Sequence, residues 1–237
     1  DLDISIKAFF EANDSNNTNG LFQVEIFNNF LKFNFIKEKT IKIKNGFIRS
    51  KIANSFFDGD IDFNPIFFLK LNFEPSSFNT KKIFSLIQRN YFLNNFENMS
   101  LIKKINGSFN FNFKSKFKGK ITSQNGEILL KNFEVGKNKS LQFNGKITDF
   151  GRKGKIQFNL TKTALYKSGL SKRTEIKGYL IPFNKKVVFD LIVLDGDKLS
   201  NEKTKEYEKK FKKEIIKKSL NNIFDKKNLD NFFKKII

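Results

Sequence analysis

Histidine and cysteine are both missing from the 237 residues, and that removes most of the side-chain chemistry a protein can offer. The common transition-metal sites, the catalytic triads and the thiol nucleophiles are excluded by residue type. Catalysis would have to rest on carboxylates, lysine, serine or tyrosine. Among the carboxylates, Asp58-Gly59-Asp60-Ile61-Asp62 is the one cluster that brings three oxygen-bearing side chains close in sequence. Its spacing departs from the EF-hand loop, which needs its glycine after the third ligand and a distant Glu. The cluster reads as a turn followed by the solvated face of a strand. Asp195-Gly196-Asp197 reads the same way, as a turn ending a strand over Val187–Leu194. No metal, no cofactor and no catalytic residue is expected.

The remaining charged chemistry is basic. The formal net charge is +21, which points toward nucleic acid or an anionic membrane surface. Only Arg49, Arg89, Arg152 and Arg173 are arginines, however, and base-edge and bidentate phosphate recognition lean on arginine. Lys, Asn, Ile and Phe are also the residues that A/T-rich codons favour, so a biased genome accounts for much of the charge. No specific nucleic-acid partner is expected. The absence of cysteine fits a reducing compartment and equally an envelope protein that uses no disulfides.

The strongest spacing signal is apolar. From Gly107 to Leu160 apolar and polar residues alternate through successive short segments, the pattern of a β-meander with one greasy face. Phe109, Phe111 and Phe113 share a face, as do Leu141, Phe143 and Ile147, and Ile156, Phe158 and Leu160. These nine are the candidates to line a lipid-binding groove. Asn125-Gly126 between two such segments predicts a two-residue hairpin. A faint repeat accompanies the pattern, Phe117-Lys118-Gly119-Lys120-Ile121-Thr122 returning as Phe143-Asn144-Gly145-Lys146-Ile147-Thr148.

Upstream, a first strand (Leu2, Ile4, Ile6, Ala8) leads to a polar loop over Asn13–Gly20. Strands follow near 21–27, 30–36, 40–44, 47–53, 56–63 and 66–73, with Asn45-Gly46 as a second tight hairpin and Pro65 at a strand start. Over 79–92 the period turns helical, with Ile83, Phe84, Ile87 and Tyr91 on one face. Later strands lie near 173–181 and 186–194, with Thr161–Ser171 as a loop, for about 14 in all.

After Leu199-Ser200, a helix start, the C-terminus is amphipathic, with Tyr207, Phe211, Ile215, Leu220, Ile223 and Phe224 on one stripe. Leu229, Phe232, Phe233, Ile236 and Ile237 form a second short piece. Such basic helices either lie on anionic membranes or close the end of a sheet with their lysines in solvent. Tyr207, Phe211, Ile215, Phe232 and Phe233 are the candidates to face a membrane or partner. The expected organisation is a mainly β chain: a long antiparallel meander curled into a groove or open sandwich over 1–198, with one mid-chain helix, and a helical cap over 199–237.

The single-faced meander, the Asn-Gly-Glu-Ile-Leu-Leu-Lys-Asn-Phe segment at Asn125–Phe133 and the terminal helix after Asp195-Gly196-Asp197-Lys198-Leu199-Ser200 resemble the C-terminal part of AsmA-like envelope proteins. The chain is similar in the same way to the TamB and YhdP repeating β-groove proteins. That resemblance, over most of 20–237, implies a periplasmic, non-catalytic groove anchored in the inner membrane of Gram-negative bacteria. It implies phospholipid as the ligand, conducted between inner and outer membranes in support of outer-membrane assembly. Asp1 opens in mid-strand pattern, so an upstream segment is expected to supply the anchor. Against this stand a structural β-domain with a closed core and no ligand, a lysine-rich nucleic-acid binder, and a carboxylate hydrolase. The segregation of rings from lysines on the strands opposes the nucleic-acid reading.

Overall fold

The structure is a computed structural model. It describes residues 4–14, 17–51, 53–79, 82, 106–113, 117–135, 140–148, 153–165, 171–216, 222 and 226–236. The chain is mainly β and divides into two compact units, Asp1–Asn79 with Leu101–Gly126, and Thr80–Ser100 with Glu127–Ile237. The units part within the strands.

The first unit holds β1 (Ile4–Asp14), β2 (Asn17–Ile26), β3 (Asn29–Lys37), β4 (Ile41–Arg49), β5 (Ala53–Asp62), β6 (Phe68–Phe78), β7 (Asn106–Phe113) and β8 (Phe117–Gln124). Each strand pairs with its sequence neighbour. All of these pairs are antiparallel except β6–β7, which run parallel with Phe73 beside Phe111. The expected all-antiparallel meander is thus broken once, where the chain between 79 and 105 is long enough for the crossover that parallel neighbours require. The helix expected over 79–92 lies almost wholly outside the described residues, as do Leu220, Ile223, Phe224 and Ile237.

Three expected turns are strand instead. Asn45-Gly46 is not a hairpin but a bulge inside β4, where the register steps from Ile43↔Gly59 to Gly46↔Phe57 and Asn45 takes φ 52°. Tolerance of positive φ serves a bulge as well as a turn, so the dipeptide alone did not distinguish them. Asp58-Gly59 is no turn either, since Asp58, Asp60 and Asp62 all sit in β5. There Gly59 lies against β6 so closely that a Cβ would stand 1.9 Å from the Lys70 carbonyl oxygen. The polar loop expected over Asn13–Gly20 shrinks, because β1 runs to Asp14 and β2 begins at Asn17. Pro65 lies in the β5–β6 turn, after a cis Asn64–Pro65 bond, rather than at a strand start.

The second unit contains β9 (Glu127–Val135), β10 (Leu141–Thr148), β11 (Lys155–Leu165), β12 (Ser171–Ile181), β13 (Lys186–Leu194) and the short β14 (Asp197–Lys198), antiparallel in sequence order. β11 continues to Leu165, five residues into the expected 161–171 loop. Asn125 and Gly126, at φ 51° and 80°, form the expected tight turn between β8 and β9, and Asp195-Gly196, at 51° and 98°, the one that ends β13. Ser200 caps α1 (Asn201–Phe211) by accepting from the Lys203 N–H. A single π turn (Lys212–Ile216) and α2 (Lys226–Phe233) follow.

The hydrophobic core belongs to this second unit. Leu141, Phe143, Ile147, Ile156, Phe158, Leu160, Ile176, Leu180, Val187, Phe189 and Ile192 supply the sheet side. Phe211, Ile215, Ile216, Leu229, Phe232, Phe233 and Ile236 supply the helical side. Burial of these side chains, each contributing on the order of a few kcal/mol, holds the helices on the sheet.

Candidate functional site

Alternation in the first unit places a row of phenylalanines across successive strands, and the register brings them into ring contact. Phe22 on β2 meets Phe33 on β3 at 5.2 Å between centroids, and Phe33 reaches Phe57 on β5 at 6.2 Å. The strand between them offers no side chain there: Gly46 lies beneath the Phe57 ring, where a Cβ would stand 2.6 Å from ring carbons. Phe57 then meets Phe73 at 5.7 Å, and Phe73 stacks on Phe111 at 5.2 Å with the planes 10° apart. Five rings thus cross six strands. Ile43 and Phe57 are buried, but Phe22, Phe33, Phe73, Phe109, Phe111 and Phe113 are only half-buried. The buried apolar cluster among the described residues lies in the second unit.

The structure therefore separates the nine groove candidates. Phe109, Phe111 and Phe113 lie on the half-buried ladder face. Leu141, Phe143, Ile147, Ile156, Phe158 and Leu160 are instead buried in the second unit's core, beneath α1, the π turn and α2. The membrane- or partner-facing candidates are on the inner side of those helices. Phe211, Ile215, Phe232 and Phe233 are each at most 1% exposed and Tyr207 packs against the same cluster. Phe189 on β13 joins the layers, 6.2 Å from Phe158, 5.1 Å from Phe211 and 6.4 Å from Phe232. An amphipathic stripe looks the same whether its partner is a bilayer or a sheet of the same chain, and here it is the sheet.

Polar contacts pin this cap. The Glu208 carboxylate accepts from the Phe189 backbone N–H at 2.9 Å, beside the β13 bulge. Asp230 on α2 accepts from Lys162 of β11 and, at 2.6 Å, from Lys226. Burial pushes the Asp230 carboxyl up, but the bonds from Lys162 and Lys226 outweigh it and hold it below the usual carboxylate range.

The opposite faces are polar but not uniformly so. In the first unit Asp58, Asn72 and Asn110 form a side-chain ladder across β5, β6 and β7 with bonds of 2.8 Å, which engages the first carboxylate of the acidic cluster. Among the described residues no group of three or more Asp or Glu is placed to hold a metal ion. The same face also carries Phe30, Phe47 and Phe56, with centroids 6.3 and 5.2 Å apart and the Arg49 guanidinium 5.7 Å from the Phe30 ring. The expected segregation of rings from basic groups thus fails there, because β3 and β5 put phenylalanine on both faces and β4 puts its Phe47 on this one.

In the second unit the polar face forms a shallow depression of about 390 Å³ between β9 and β13, lined by Lys131, Lys146, Lys155, Lys177, Tyr179 and Asp190 among others. Three of its lysines are engaged: Lys146 with Glu127 at 2.8 Å, Lys177 with Glu175 at 3.2 Å, and Lys155 with its Nζ 4.0 Å from the centre of the Tyr179 ring. Burial raises the Glu175 carboxyl, but bonds from Asn159 and Lys177 bring it net below its ordinary value.

Sequence reasoning left four ladder members unassigned, Phe22, Phe33, Phe57 and Phe73. Phe33 and Phe73 sit in alternating runs that were legible; the gap that Gly46 leaves for Phe57 was hidden by reading Asn45-Gly46 as a turn. Comparison of the chain with family models, with curated proteins and with solved structures finds no match to any of them. No described helix is long and apolar enough to cross a membrane.

Proposed function

We propose that this chain is a non-catalytic lipid-binding protein whose first unit receives acyl chains on its phenylalanine ladder. The observation that carries the reading is the ladder from Phe22 to Phe111, whose rings other than Phe57 are only half-buried. Five steps between six strands, at about 4.8 Å each, make the row about 24 Å long. One leaflet's share of a bilayer's hydrocarbon core is about 15 Å, so an extended acyl chain fits along the row with length to spare. Soluble monomers rarely leave large contiguous apolar patches bare, and a bound lipid would remove this face from water. In the envelope setting that the resemblance to AsmA-like proteins implies, the ligand is phospholipid passing between the inner and outer membranes, with the protein periplasmic and anchored through an upstream segment.

A second reading, a structural β-domain without ligand, is favoured by the second unit, where helices already cover the apolar face. The two make different predictions for Phe33→Asp, Phe73→Asp and Phe111→Asp. On a lipid-bearing face each carboxylate reaches water, so circular dichroism should stay near the parent while phospholipid extracted with the protein, measured by mass spectrometry, falls severalfold. Unfolding in all three, or a parent protein that carries no lipid from a mild-detergent preparation, would defeat the lipid reading and leave the scaffold.

A further inference from the structure

The turn between β5 and β6 is built of the wrong residues for a turn in water. Phe63, Ile66, Phe67 and Phe68 are 55%, 60%, 37% and 37% exposed, four large apolar side chains within six residues. Phe63 and Phe67 are in edge contact, with centroids 5.7 Å apart, so two of the four form one greasy knob. Just below it Asp62 accepts from the Asn64 N–H at 3.0 Å, which fixes the chain as it leaves β5. The pairings Lys37↔Ile41, Ile41↔Ile61 and Asp62↔Phe68 put the β3–β4 turn at the same end of the first unit's sheet. That turn and its edges contribute Lys37, Lys39 and Lys42, with Glu38 bound to Lys42 at 2.7 Å.

We infer that the β5–β6 turn is a membrane-docking tip, which inserts Phe63, Ile66, Phe67 and Phe68 into the interfacial region of an anionic lipid bilayer while the neighbouring lysines meet its head groups. Apolar side chains gathered at an exposed loop tip leave water by entering another phase or a partner surface, and a bilayer interface accepts them with no shaped pocket. At this end Lys42 is held by Glu38 and Asp62 bonds the turn backbone, so it is Lys37 and Lys39, in a chain of net charge +21, that favour an anionic surface. Neither part suffices alone, because a few exposed side chains and a few surface lysines each give weak, reversible attachment. Together they give the two signals that stable peripheral binding requires. The inference takes its choice of a bilayer from the lipid-binding reading, but it rests on different residues and fails separately.

The chain contains no tryptophan, so a single Phe67→Trp reports on this tip without background. With vesicles of phosphatidylglycerol and phosphatidylcholine its emission should shift to the blue and gain protection from an aqueous quencher. Vesicles of phosphatidylcholine alone, or of the anionic mixture in high salt, should give at least tenfold weaker partitioning. The combined variant Phe63→Ser, Ile66→Ser, Phe67→Ser and Phe68→Ser should keep its circular dichroism and lose at least tenfold in vesicle binding. Phe111→Asp should still bind vesicles, which separates failure of the tip from failure of the ladder. The inference is overturned if vesicle binding survives the four serines, if the Phe67→Trp reporter stays in water on bound vesicles, or if the four serines abolish only a concentration-dependent self-association, which would make the tip a contact between copies.

Discussion

Phe189→Ala tests how the second unit is held together, because that ring touches β11 and both terminal helices at once. It is 5% exposed. A buried phenylalanine withdraws roughly 200 Å² from water, worth about 5 kcal/mol at ~25 cal/mol per Å², of which alanine's own methyl group keeps about 1. The remaining loss of about 4 kcal/mol agrees with the 3–5 kcal/mol range for deleting a core ring. For a unit of this size each kcal/mol lowers the melting temperature by about 3 °C, so a fall of about 12 °C is expected in the unit's transition, followed by far-ultraviolet circular dichroism. Phe73→Ala is the internal comparison. That ring is only half-buried on the ladder, so it should cost about half as much. If Phe189→Ala proved no more costly than Phe73→Ala, the helical cap would not be packed as described.

Stability should be flat from pH 5.5 to 8, since no side chain has an ordinary pKa in that window. Asp230, whose carboxyl is held below its usual range, adds stability that is present above that range and lost as pH falls through its folded pKa, below about pH 4. Asp230→Asn should therefore lower the melting temperature at pH 7, where it strips the part-buried Lys162 of its carboxylate partner, and should flatten the acid limb; an unchanged limb would exclude Asp230 as a contributor. Gly59→Val should loosen the β5–β6 pairing, because the new side chain meets the Lys70 carbonyl, and amide exchange in those two strands should quicken ahead of the second unit's. Binding to DNA should be indifferent to sequence and fall steeply with salt, as point-charge contacts dictate; competition by one duplex a hundredfold better than others at 0.15 M salt would contradict this.

Much of the sheet was legible because period-two alternation is a direct imprint of the pleat. Leu141–Thr148 and the Asn125-Gly126 turn stand where their pattern placed them. Misreadings cluster where one residue type serves two geometries. Asn45-Gly46 suits a hairpin and a bulge equally, and Asp58-Gly59 looks like a turn until the β6 backbone beside it is known. The parallel β6–β7 pair left no local mark, since strand direction depends on where a long connection returns the chain. Phe109 and Phe143 had the same local pattern, yet one is half-buried and the other lies in a core. Only the position of the terminal helices separates them, and that is a tertiary fact. Phe63–Phe68 was divided between two expected strands, which concealed that its apolar residues fill a turn.

Strands that pair only with their sequence neighbours also bear on how such a protein grows. Within β1–β6 every ladder closes over a short turn, so each new strand completes its pairing as soon as it is made and needs no distant part of the chain. Low separation between partners favours rapid assembly. It also makes length an adjustable quantity: inserting one hairpin whose strands carry phenylalanine at the ladder register would lengthen the row by about two strand spacings, roughly 10 Å, while leaving every existing pairing intact. A protein built this way can be fitted to a wider or narrower span by gaining or losing hairpins alone.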